Sequence, residues 1–380
     1  MNRILLSLAL FWFIGVAPGH AAPPIKVGAV SALGAKASFP EASQAAKAYF
    51  DAFNEAGGLQ GRRIEYVSLD EGTSPDQATQ AARQLIDDPE VVALVGGSGL
   101  LDCPVNAKAY AQADLLSLQG ASVAADCFAS SHIVPLNNGP YYGLENAISF
   151  AHQQLKSDKV CVSLLDLPGM VPAYRTALAR SSAHLKWSVT QVEAVAPSSD
   201  FSAAISKHLA AGCETIIFTG HEPAVLQWLQ AALKLPYQDT NWLFLTPAYS
   251  AKVASFLPAT DARVYAMAEF EPWQTSTLPM LAWKRAMRGR GLPQTSLSQG
   301  GYVAAQLFVR ALATIQGPIT RRSVSQALRE LPPQRQDFLG MPFEIGDRAT
   351  HAPNRASLPM VLNQGRWRIA HPRWIMAPAP

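Results

Sequence analysis

Two patterns alternate along the chain. Short apolar runs, among them Ile25 to Val30, Ile64 to Leu69 and Val91 to Val95, are separated by longer stretches with apolar residues at helical spacing. After Pro40, the residues Ala46, Tyr49, Phe50 and Phe53 fall on one helical face, and Gly57-Gly58 ends the helix. Proline near the start and glycine near the end is the usual asymmetry of helix termini. Thr73-Ser74-Pro75-Asp76 opens a second helix, with Ala78, Ala82, Leu85 and Ile86 on its apolar face. Val91 to Val95 has no alternation, which predicts a strand buried on both faces. A helix over 104–113 and a strand over 115–118 continue the series.

The same order of elements returns after Tyr141-Tyr142. Helices are predicted over 144–155, 172–183, 201–211 and 224–233. Strands are predicted over 159–165, 187–195, 214–219, 242–245 and 264–270. Strands alternating with helices imply βαβ units, a parallel sheet and right-handed crossovers. Ligands of such sheets bind beyond the carboxyl ends of the strands. That draws attention to the loops 31–39, 96–102 and 119–125. Residues 281–331 read as mostly helical with a break at Gly317-Pro318. Asn363-Gln364-Gly365-Arg366 is a hairpin turn between strands 358–362 and 367–369, and residues 372–380 read as a loose tail.

The first residues differ in kind. Arg3 precedes an apolar run from Ile4 to Val16; Pro18 and Gly19 break it, and Gly19-His20-Ala21 offers a small-residue cleavage site. These are the parts of a secretory signal peptide over residues 1–21. The run is shorter than the roughly 20 residues a spanning helix needs. The implied location is the periplasm.

Composition narrows the function classes. The chain has 380 residues, enough for two domains, and a net charge of +3. No Lys/Arg run exceeds Arg62-Arg63 or Arg321-Arg322, so there is no electrostatic case for nucleic acid. Walker, HExxH and Rossmann fingerprints are missing, and Gly96-Gly97-Ser98-Gly99-Leu100 lacks the final glycine of a nucleophile elbow. The reading is therefore a non-enzyme without cofactor. The four cysteines Cys103, Cys127, Cys161 and Cys213 lack metal-ligand spacing, and an even count in an oxidising compartment points to disulfides rather than metal.

The order of several short motifs resembles the leucine/isoleucine/valine-binding family of type I periplasmic solute-binding proteins of ABC importers. The carriers are Ile25-Lys26-Val27-Gly28, the run Asn54-Glu55-Ala56-Gly57-Gly58-Leu59-Gln60-Gly61-Arg62-Arg63-Ile64, Asp70, Asp76-Gln77-Ala78, Val95-Gly96-Gly97 and Asp200-Phe201-Ser202. The resemblance implies an α/β fold of two Rossmann-like lobes with parallel central sheets, joined by a three-segment hinge. It places lobe 1 at 22–141 and 274–350, and lobe 2 at 142–273 and 351–380. The hinge crossings fall near 139–143, 271–274 and 347–353. It further implies a monomer that holds a small molecule in the interlobe cleft and meets permease subunits. An exported sensor signalling to a membrane partner is the alternative.

The same resemblance nominates a site. The loops around Ser98, Gly99 and Leu100, and around Ala121 and Ser122, would hold a ligand carboxylate with backbone N–H groups. Leu100 and Val123 stand where the family has hydroxyls, and Ala248 where it has the acid that meets the ligand ammonium. Glu222 beside His221 is the expected substitute, with Asp102 second. Phe39, Met170 and Tyr249 would line the cleft, and an aromatic or apolar acid or amide would stack between Phe39 and Tyr249. Cys103 and Cys127 flank the two first-lobe loops and are expected to pair. Cys161 and Cys213 begin strands expected to be neighbours, and so form the second pair. N-terminal sequencing of exported protein is expected to begin at Ala22 or a close neighbour; a mature chain that keeps Met1 would contradict the cleavage reading.

Overall fold

A computed structural model describes residues 23–34, 40–235, 239–257, 263–333, 337–346 and 354–379. The expected signal segment, Phe39 and the crossing at 347–353 lie outside the described residues.

The first half builds one parallel sheet. It runs through β1 (Ile25–Ser31), α1 (Glu41–Glu55), β2 (Ile64–Asp70), α2 (Pro75–Asp87), β3 (Val91–Gly99), α3 (Asp102–Gln112), β4 (Ser117–Ser122), the short α4 (Ala125–Phe128) and β5 (Ile133–Pro135). The strand order is β2-β1-β3-β4-β5, with all pairs parallel. Local chemistry sets several boundaries. Ser74 caps α2 by accepting from the Gln77 N–H, and Pro75 fills a position that needs no donor. Pro40 lies just before α1 rather than inside it.

Two strands run longer than the sequence predicts. β3 continues through Gly96 to Gly99 and β4 through Gly120 to Ser122. Their glycines read as loop, yet they pair, Ser98 with Ala121 and Gly99 with Ser122. The strand ends nearest the expected ligand are thus part of the rigid sheet.

The second sheet is built from α5 (Gly139–Gln153), β6 (Val160–Leu165), α6 (Met170–Leu185), β7 (Gln191–Val195), α7 (Phe201–Ala210), β8 (Thr215–Phe218), α8 (Glu222–Ala232), β9 (Asn241–Phe244), a 3-10 turn at Thr246–Ala248, α9 (Ala251–Phe256) and β10 (Arg263–Ala268). The chain then forms α10 (Leu278–Arg288), α11 (Ser296–Leu312) and α12 (Arg321–Glu330), and ends in β11 (Ala356–Asn363), β12 (Arg366–Ile369) and β13 (Ile375–Met376). The order is β12-β11-β10-β9-β8-β6-β7, with β13 on β11. β11 and β12 form the antiparallel hairpin expected around Asn363-Gln364-Gly365-Arg366. The tail is not loose: β13 pairs with Ala356 and Ser357, and Arg355 donates to the Ala377 carbonyl.

α11 returns to the first sheet and is buried almost all round, between α1 and strands β3 and β4. Thr295 and Ser298 form its capping box. The close approach depends on missing side chains. A Cβ on Gly300 would lie 1.9 Å from the Gly120 carbonyl oxygen, and one on Gly301 would lie 1.8 Å from that of Ala42. These glycines let α1, α11 and the end of β4 meet backbone to backbone. In the second half Trp228 stacks on Phe218 at 4.2 Å between ring centres, both fully buried. Truncating such a ring costs about 3–5 kcal/mol.

The chain crosses between sheets after Pro135 and again between β10 and α10. The first crossing comes a few residues earlier than predicted, because α5 already begins at Gly139. Asparagines stitch the crossings together. Asn138 donates to the Ala356 carbonyl and Ser357 Oγ, Asn146 to the Arg355 carbonyl and Ser357 Oγ, and Asn354 to the Glu269 carbonyl.

Both expected disulfides are formed. Cys103–Cys127 joins α3 to α4, and Cys161–Cys213 joins β6 to the turn that leads into its neighbour β8, with Cα separations of 5.1 and 5.9 Å. The chain-entropy model gives each closed loop about 3–4 kcal/mol. Thiol titration of unfolded, unreduced protein is expected to find no free thiol, and reduction to lower the melting temperature by several degrees. Four titrating thiols would contradict both pairs.

Candidate functional site

The carboxyl ends of β1, β3 and β4 lead to the N-termini of α1, α3 and α4. The ends of β6, β8 and β9 lead to α6, α8 and the 3-10 turn. Glu41, first residue of α1, and Glu222, first residue of α8, come from the two different halves. The pKa of Glu41 is raised, first by burial and further by the negative charge of Glu222. The strand ends of the two sheets that supply this pair are the candidate walls of an interlobe cleft.

The first-sheet side holds a feature that the sequence reading missed. Glu71, directly after β2, is buried, and its carboxylate accepts the N–H groups of Leu100, Leu101 and Asp102 at 2.8, 3.0 and 2.9 Å. It occupies the unpaired donors at the start of α3, where the helix dipole is positive. Gly99 makes room: a Cβ there would lie 2.1 Å from Glu71 Oε2. Burial pushes the Glu71 pKa up against these three bonds.

The second loop is also internally satisfied. The Ser122 N–H donates to Asn137 Oδ1 at 2.8 Å, and Asn137 Nδ2 donates back to the Ser122 carbonyl. Ser122 Oγ is buried without a hydrogen-bond partner among the described residues. Ser98 is buried, with its N–H on Ser31 Oγ at 3.3 Å, and Ala121 is buried beside it. Leu100 is 38% exposed, consistent with a cleft wall rather than a core position.

Asp102 is not a cleft acid. It is buried and accepts from Tyr110 Oη at 2.6 Å, Asn106 Nδ2 at 2.9 Å and Gln119 Nε2 at 3.0 Å. Desolvation raises its pKa to about 6, against those three bonds. This polar knot explains why an acid next to a glycine loop serves the core.

On the second-sheet side, Met170 opens α6 and packs partly against the local core. His221 caps α8, its Nδ1 accepting the Ala224 N–H at 3.3 Å. Among the described residues, Glu222 has one cation nearby, Lys252 at 3.6 Å, and both side chains are partly exposed. Ala248 is fully buried. Tyr249 is buried as well: one face stacks on Trp273 at 3.6 Å, an edge meets Trp367, and its hydroxyl donates to Gln274 Oε1 at 2.5 Å. Its ring is thus occupied by protein, which departs from the expectation of a free stacking face.

Glu269, after β10, marks the hinge. It is buried, and bonds from the Asn137 side chain and the Gly139 and Asn138 N–H groups hold its carboxylate. Asn137 in turn holds Ser122, so the hinge and the second loop share one network. Among the described residues, the one group of three potential metal ligands is Cys161, His208 and Cys213, and its two sulfurs are joined to each other.

The chain belongs to the periplasmic binding protein family, whose model matches residues 24–366. This is a family of binding proteins rather than enzymes. A protein from Pseudomonas aeruginosa named amino acid binding protein is 36% identical over 98 residues, which span 24% of this chain and 25% of that protein's length. Among solved structures, a fatty acid ABC transporter substrate-binding protein from Thermomonospora curvata superposes with TM-score 0.78 at 17% identity, covering 93% of each chain. A branched-chain amino acid transporter substrate-binding protein from Streptococcus pneumoniae in complex with isoleucine gives 0.76 at 15% identity, covering 93% of this chain and 99% of that one. A possible leucine/isoleucine/valine-binding protein from Rhodopirellula baltica gives 0.75 at 17% identity, covering 94% and 98%. The fold is the type I periplasmic binding fold, as the sequence motifs implied.

The buried acids set a pH dependence. The ordinary values for Asp102 and Glu269 are 3.8 and 4.5, and burial raises them to about 6 and about 7 in the folded state. The folded protein keeps these protons to higher pH than the unfolded chain. Their stabilisation is complete below about pH 4 and is lost as pH rises through about 6 and about 7. The denaturation midpoint is expected to fall between pH 4.5 and 7.5, and Glu269→Gln to flatten the upper part of that fall. A midpoint rising over this range, unchanged by Glu269→Gln, would contradict the assignment.

Proposed function

We propose that this chain is exported to the periplasm, loses residues 1–21, and serves as the solute-binding component of an ABC importer. A small molecule binds in the cleft between the two sheets, and the loaded protein delivers it to permease subunits. The arrangement that carries this reading is the facing of strand ends from two sheets over a hinge of short crossings. Hinge closure around a ligand is the characteristic motion of periplasmic binding proteins. The residues proposed to border the ligand are Phe39, Ser98, Gly99, Leu100, Ala121 and Ser122 from the first half. His221 and Glu222 come from the second, with Met170 and Tyr249 behind them.

Branched-chain amino acids fit poorly. Leu100 and Val123 supply no hydroxyl for their carboxylate, and the N–H groups of Leu100, Leu101 and Asp102 are already held by Glu71. Each missing hydrogen bond costs about 1 kcal/mol and an unpaired charge more, against about 8 kcal/mol for a micromolar complex. A thermal-shift screen of amino acids, organic acids, amines, amides and polyols is expected to find a stabilising compound, while calorimetry with leucine shows no binding at micromolar concentrations. Micromolar leucine binding that survives Glu222→Gln would contradict the assignment of the second-sheet side.

A further inference from the structure

The polar groups that border the cleft divide unevenly. In the two first-sheet loops, four donors that an anion could use are already taken. Leu100, Leu101 and Asp102 give their N–H groups to Glu71, and Ser122 gives its N–H to Asn137. Glu71 does the work that a ligand carboxylate would do at the start of α3. For a second carboxylate to bind there, it would have to displace a buried one held by three charge-assisted bonds.

Buried acceptor capacity is uncommitted. Glu41 Oε2 is buried without a partner among the described residues, although its residue is only half-buried. Ser122 is 1% exposed, and its Oγ also lacks a partner. Strand alternation relates these two groups. Gly120 faces Ala42 and Gly301, so Ser122, two residues on, faces the same side, toward the start of α1 where Glu41 stands. From the other half comes Glu222, whose negative charge is felt at Glu41. Lys252 touches Glu222 only at 3.6 Å from an exposed position, and no cation pairs with Glu41 among the described residues. Closing the cleft brings two carboxylates together, which like-charge repulsion opposes unless a cation enters between them.

We infer that the cleft takes a small organic cation, a primary ammonium or amidinium on an apolar body and without a carboxylate, which binds between Glu41 and Glu222 with Ser122 Oγ as a further acceptor. This inference rests on the solute-binding reading and sharpens it, replacing the acid or amide that the loop glycines alone imply. Glu71 is then a specificity residue that excludes anions, and Glu41 and Glu222 couple ligand charge to closure.

Matched compounds test it. Calorimetry on the processed protein would compare 3-methylbutylamine, phenethylamine and agmatine with 4-methylpentanoate, 3-phenylpropionate and leucine, which share bodies with the first two. At least one amine is expected to bind ten-fold or more tightly than its matched acid and amino acid. Glu41→Gln should weaken that amine at least ten-fold while circular dichroism stays unchanged. Glu71→Ser, which frees three N–H groups, should raise affinity for the matched acid. An acid or leucine binding wild type as tightly as the amines would overturn the inference, and so would amine binding indifferent to Glu41→Gln. If only amides or polyols stabilise the protein, the solute-binding reading stands and the cationic ligand falls. If no compound of any class does so, both fall.

Discussion

One interaction organises the ligand-facing end of the first sheet: the Glu71 carboxylate on the three amides that open α3. A parallel sheet with following helices always leaves unpaired N–H groups at its carboxyl edge, and something must satisfy them. Here it is a buried side chain of the protein rather than water or a ligand. That single choice shapes its neighbours. Gly99 has to be glycine because Glu71 fills the space of a Cβ. Asp102, beside the same helix start and sharing its negative field, needs the knot of Tyr110, Asn106 and Gln119. The start of α3 in the first-sheet wall is left without free donors for an anion, while Glu41 Oε2 and Ser122 Oγ remain as acceptors.

The rest of the frame holds this wall rigid. Gly120, Gly300 and Gly301 let β4, α1 and α11 approach at backbone distance, which fixes the start of α1, and so Glu41, relative to Ser122. The hinge is tied to the same wall through Asn137, which holds Ser122 on one side and Glu269 on the other. A change at the crossing is thereby felt at the strand end that faces the ligand. The disulfide between Cys103 and Cys127 closes a segment that begins just after the first loop and contains the second.

Much of this was legible in the sequence. Strand and helix alternation follows from hydrophobic spacing, and the family motifs from Ile25 to Asp76 place the fold. The Cys161–Cys213 pairing follows from strand adjacency, and the Cys103–Cys127 pairing from the loops that those cysteines flank. The glycine-rich strand ends were read as loops because glycine carries no burial signal of its own, and only the ladder with β4 reveals them as strand. Glu71 was missed for a related reason. An acid after a strand looks like a solvated loop residue, and nothing local tells that it turns inward to a helix starting about thirty residues later. Asp102 was misread in the opposite sense, because its three partners come from α3 and β4. Tyr249 was placed at the right strand end, but its contacts with Trp273 and Trp367 are long-range and have no periodic signature.

The most direct test of the account is a high-resolution crystal structure of the protein purified from periplasm with its natural ligand retained. The account predicts that Glu71 stays on the amides of Leu100, Leu101 and Asp102, and that a cationic group of the ligand lies between Glu41 and Glu222. A ligand carboxylate on those amides, with Glu71 turned away, would contradict it.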